Sequence, residues 1–142
     1  MTRTRLDHGS ITLELAVLAP AILLLFGLVL LAGRLATTHQ QLDHAAEAAA
    51  RAATLARDAT TARTQATTSA NANLTGRDAP CTNLHVTVDT TGFTVPVGRP
   101  ADVVVHLTCT VSLTALGIPG IPGSRTLSAT ATSPLDTYRT RT

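Results

Sequence analysis

Apolar residues run from Leu15 to Gly33 without a charge, between Glu14 and Arg34. As an α-helix those 19 residues would be about 28 Å long, close to the hydrocarbon thickness of a bilayer. The pattern predicts a transmembrane helix over 10–34. Pro20 inside it is compatible with a membrane helix carrying a local kink. A cleaved secretory signal is the alternative, with cleavage near Ala32 or Gly33. Its apolar stretch should run about 7–15 residues, which this segment exceeds.

Beyond Arg34 the period changes. No Pro or Gly occurs from Leu35 to Thr68, and Ala dominates. A helical stem is therefore expected over 35–75, continuous with the anchor and weakened by Thr from Thr60 onward. Leu35, Leu42, Ala49 and Ala56 recur every seven residues. Ala45, Ala52, Ala59 and Ala66 form a second row beside them, and together they make a narrow apolar seam. Such a seam suits close approach of another subunit or of the chain's own β-domain; a solvated Ala-rich helix is the bland alternative. Glu47 precedes Arg51 by four residues, in the favourable order for a surface ion pair. Gly76 to Pro80 ends the helix.

From residue 81 the apolar period is two. Val103, Val105, Leu107, Cys109, Val111 and Leu113 alternate with residues that are polar except for Val104. Leu84, Val86 and Val88 repeat the pattern, as do Leu127, Ala129 and Ala131. Gly92, Gly98 and Pro100 separate the first strand from the second. The run Gly117 to Gly123 separates the second from the third. The fold class is α+β: an N-terminal transmembrane helix extended into a long stem, then a small antiparallel sheet of three or four strands. The parts are a leader over 1–9, the anchor over 10–34, the stem over 35–75, the β-domain over 76–135 and a tail over 136–142.

Composition narrows the function. The 142 residues carry one Tyr, two Phe and no Trp, so the soluble part has few large side chains for a core. All eleven basic residues are Arg, scattered without a basic block, which gives nucleic acid no footprint. Cys81 and Cys109 lie outside any CxxC pattern. In an oxidising compartment they pair most simply as a disulfide, closing a loop of about 28 residues with a contribution of roughly 3–4 kcal/mol; two reduced thiols are the alternative. The chain shows no P-loop, GxSxG, HExxH or GxGxxG. His85 and His106 sit at polar strand positions and fall short of a zinc ligand set. No catalytic residue, metal, cofactor or small-molecule substrate is expected.

Glu14 carries the most information. A carboxylate in a bilayer costs about 2.5–3.5 kcal/mol at a helix centre and less near an interface. It either snorkels to the headgroups or has a partner. Cleavage after Gly9 would make Ser10 the N-terminus, with its ammonium one helical turn before Glu14. That amine, on the same chain or a neighbour, would neutralise the carboxylate and fix the axial register of packed helices.

The string Gly9-Ser10-Ile11-Thr12-Leu13-Glu14, followed at once by an apolar helix, resembles the processing site of type IV prepilins. Extended through Pro20, and with the Ala/Arg-rich segment from Ala45 to Ala53, it is similar to the start of TadE-like pseudopilins of the tight-adherence pilus system. The likeness covers about the first 55 residues. It implies a leader cut by a prepilin peptidase, with Gly9 as recognition residue, Ser10 as new N-terminus and Glu14 as register carboxylate. It also implies a role in pilus assembly or secretion beside other pilin-like subunits. The expected setting is the cell membrane, single-pass, with the N-terminus cytoplasmic and the C-terminus outside. An uncleaved anchored envelope protein with another partner, or a secreted β-domain, are the rival functions.

Overall fold

The computed structural model describes residues 8–77, 79–112, 114 and 123–140. Leader residues 1–7, Leu113 and most of the Gly117–Gly123 turn lie outside that set. The order is α1 (His8–Leu55), α2 (Ala59–Thr75), β1 (Cys81–Asp89), a 3₁₀ turn (Thr91–Thr94), β2 (Asp102–Ser112) and β3 (Ser124–Pro134). The chain forms two compact units, Met1–Arg34 and Leu35–Thr142.

In the first unit α1 carries the long apolar run, with Pro20 inside the helix. Its large side chains from Leu15 to Leu30 stand exposed. The helical stretch Glu14–Leu55 contains a window with mean hydropathy 2.8, long and apolar enough to cross a membrane, none of it buried by protein. An apolar surface of this extent calls for lipid or protein around it.

The second unit holds the core. The expected continuous stem is instead two helices, broken between Leu55 and Ala59. Asp58 makes the break. Its backbone is extended, and its carboxylate accepts the Thr61 N–H at 2.8 Å and the Thr61 hydroxyl at 2.6 Å. Asp is a poor helix-interior residue and a strong N-cap, so starting a new helix here outweighs the Ala propensity on either side.

The sheet has the order β1-β2-β3 and is antiparallel throughout. Three strands are present among the described residues, at the lower end of the expected number. Register places Val86, Leu107 and Ala129 in one row and Leu84, Cys109 and Leu127 in the next. On β2 the inward residues Val103, Val105, Leu107, Cys109 and Val111 are fully buried. Each large aliphatic among them contributes about 1.5–3 kcal/mol on burial.

Helical residues are buried in the same unit. Leu42, Ala45, Ala46, Ala49, Ala50, Ala53 and Ala56 are buried on α1, as are Ala62, Ala66, Ala70 and Leu74 on α2. Helix α2 packs against β1, and Arg63 donates to the Thr90 hydroxyl at 2.7 Å. The α1 residues His44, Glu47 and Arg51 share a cleft with Asn73 and Arg77 at the end of α2. The end of α1 lies beside the segment that follows β3. The buried helical residues are nearly all alanine, so the core is thin, with Phe93 its one buried aromatic among the described residues. Phe93 and Leu135 seal its rim.

Candidate functional site

Gly9 and Ser10 lie in the first turn of α1, which begins at His8. Glu14 is one turn further on and exposed. The apolar helix therefore holds a single carboxylate near its start, and Arg34 is the next charge along the sequence.

Of the predicted seam, Leu42, Ala45, Ala49 and Ala56 are buried, while Leu35 and Ala52 are only half-buried. A strict seven-residue row drifts off the face of a straight helix. The face actually used follows spacings of three and four, adding Ala46, Ala50 and Ala53. Those residues were missed by a heptad reading; an i, i+3, i+4 count over the same alanines would find them. Those residues are buried within the compact unit. No Glu47–Arg51 ion pair forms among the described residues. Glu47 instead lies 4.0 Å from His44, and His39 bonds Asp43 at 3.0 Å.

Cys81 and Cys109 form a disulfide across β1 and β2, with Cα atoms 5.6 Å apart. Cys81 opens β1 opposite Val111, and a register shift follows between Cys81 and Asn83. Thr82 donates its hydroxyl to the Thr110 carbonyl at this irregularity. The bond thus joins the start of the edge strand β1 to the buried central strand.

The outward sheet face is dominated by hydroxyls. Thr87 lies opposite His106, His106 opposite Thr130, and Thr110 opposite Thr126. His106 Nδ1 and the Thr130 hydroxyl share a hydrogen bond at 2.9 Å. His85 sits diagonally from His106, a row away, and the described residues contain no cluster of three metal-binding side chains. Asp89 accepts the Thr91 N–H at 2.9 Å. That backbone bond, aided by the Thr91 hydroxyl and by His106, holds the Asp89 carboxyl below the ordinary carboxylate range. The Thr61 hydroxyl, then the Thr61 N–H, lower Asp58 in the same way.

Residues 9–51 match the family model described as TadE-like protein. The match contains Gly9, Ser10, Glu14, the whole apolar run and the first part of the buried seam. The likeness read in the sequence therefore holds over this stretch. No curated protein and no solved structure matches the chain.

Proposed function

We propose that this chain, TadE-like over residues 9–51, is a membrane-anchored pilin-like structural protein that takes part in pilus assembly or secretion. One observation carries the reading: a family match that starts at Gly9 and runs through an exposed apolar helix of membrane-spanning length. The finer steps extend it. A prepilin peptidase removes residues 1–9 at the cytoplasmic face, leaving residues 10–34 of α1 as the anchor. The new Ser10 ammonium then lies one turn before Glu14, on this chain or on a neighbouring subunit, and neutralises it within the membrane. The unit over 35–142 stands outside the cytoplasm, where its disulfide is stable. No reaction is assigned to the chain, and its partners are the membrane, the peptidase and other assembly subunits.

The test is the N-terminal mass of the protein extracted from its own membranes. A start at Ser10 is expected. A start at Met1 would remove processing from the mechanism and leave a plain anchored envelope protein. A start near Arg34 would make the chain a secreted domain.

A further inference from the structure

We propose that two copies of this chain associate edge to edge through β3, antiparallel, so that their sheets join into one. The ladder between β2 and β3 runs from Asp102 opposite Pro134 to Ser112 opposite Ser124 without a register shift. It reaches one pair further, where the Leu135 N–H donates to the Ala101 carbonyl at 2.8 Å. Opposed residues of an antiparallel pair alternate between bonded and unbonded. Counted back from Leu135, the odd-numbered residues of β3 bond β2. Ser124, Thr126, Ser128, Thr130 and Thr132 therefore direct their N–H and C=O away from it. Pro134 falls in the same outward set, where a missing N–H takes nothing from the ladder. The alternation holds across β2 as well, since the Thr110 carbonyl faces β1 and accepts the Thr82 hydroxyl at 2.8 Å. β3 ends the sheet, and no described backbone group beyond β2 bonds those five residues, whose side chains are exposed.

A row of backbone donors and acceptors is complemented by another extended strand. Strand edges are normally guarded by charge, proline, a bulge or a covering helix. The opposite edge, β1, has such guards: a register shift between Cys81 and Asn83, α2 packed against it, and Asp89 at its end. The five outward residues of β3 have none, with Arg125 and Pro134 confined to its ends. This edge also fits itself. About a two-fold axis at Ser128, Ser128 meets Ser128, Thr126 meets Thr130 and Ser124 meets Thr132. All five residues of both copies are then bonded, by about ten N–H···O bonds. Every opposed pair on that face is Ser or Thr, a favourable cross-strand combination. On the inward face Leu127 meets Ala129, which extends the buried apolar row, and each Arg125 meets Ala131. The two Arg125 lie about 20 Å apart along the strands, beyond the screening length of salt. The guards on β1 disfavour a head-to-tail β3–β1 chain of subunits, which leaves the closed two-fold pair. This adds a self-contact to the proposed assembly role, and it needs neither leader cleavage nor Glu14.

The experiment introduces Ser128→Cys into the full chain and oxidises it in its own membranes. The native cysteines are already paired, so each copy offers one thiol. A bonded antiparallel pair sets Cα atoms about 5.5 Å apart, within disulfide reach. The expected product is a dimer joined from position 128 to position 128, read by mass spectrometry. Thr87→Cys, exposed on the same face at the other edge, should give none. Adding Thr126→Pro to Ser128→Cys should cut the dimer yield about tenfold at an unchanged melting temperature, because Pro there blocks the edge while every bond to β2 survives. Thr126→Lys repeats the block with charge and leaves the backbone intact. The N-terminal mass of the same sample reports leader cleavage, so the two ideas fail separately. No dimer from a Ser128→Cys chain that melts like the parent overturns the proposal. So does an equal yield from Thr87→Cys, a dimer that neither block diminishes, or a cross-link from position 128 to a different protein.

Discussion

Cys109 is fully buried on the central strand, and its partner Cys81 begins an edge strand, so the covalent bond links the best-packed part of the sheet to a poorly covered one. A loop closed over a separation of 28 residues restricts the unfolded chain by about 3–4 kcal/mol in the chain-entropy model. Cys81→Ser with Cys109→Ala is expected to lose that amount, read as a lower denaturant midpoint at unchanged slope. Gly92 poses a different constraint. It is buried, and a Cβ there would run into the Asp102 carbonyl oxygen and press on Leu135. Its backbone is ordinary, so the demand is for space alone. Gly92→Ala should destabilise the domain by roughly 1–3 kcal/mol through overpacking, and an unchanged melting temperature would show that the 3₁₀ turn can shift. Asp89 gives a pH signature. Its folded carboxyl titrates below the ordinary range, so its contribution is complete above that range and disappears as pH falls through the lower folded value. Stability should therefore decline on acidification below about pH 4, and the decline should be shallower in Asp89→Asn.

At the scale of elements, Asp58 decides where α1 stops and α2 starts. Asp58→Ala removes the cap from the Thr61 N–H and hydroxyl together. The expected result is a melting temperature lower by a few degrees with the helix content nearly kept, because Ala favours helix at the position it enters. A variant as stable as the parent would mean that packing alone fixes the corner. The same element shows what the sequence makes legible. Strand register was readable because period two over Val103 to Val111 assigns each residue to a face with little ambiguity. The stem was readable as helical and Ala-seamed but not as broken, since Asp58 sits among strong helix formers and its capping value depends on where α2 must go. The candidate site was legible at Gly9, Ser10 and Glu14 as a string of residue types. The cleft that joins Leu55 to Tyr138 was not, because those residues come together only through the tertiary fold.

For the whole molecule, the two units and the family match do not share a boundary. The match ends at Arg51, whereas the compact unit begins at Leu35. Residues 35–51 therefore belong to the TadE-like stretch and also bury Leu42, Ala45, Ala46, Ala49 and Ala50 within the compact unit. A three-stranded sheet with one apolar face is marginal until helices pack on it, and the buried face of α1 would then be part of what the β-region needs to fold. Two truncations separate this from a model in which residues 59–142 stand alone. A chain starting at Leu35 should fold, keep its disulfide and melt in one cooperative transition. A chain starting at Ala59 loses the whole buried face of α1, and losing Leu42 alone is worth about 2–5 kcal/mol. It should show no cooperative melt, even with the disulfide formed. If the shorter chain melted as sharply as the longer one, the α1 seam would be dispensable for folding. Its burial would then need explaining as a surface held for another subunit.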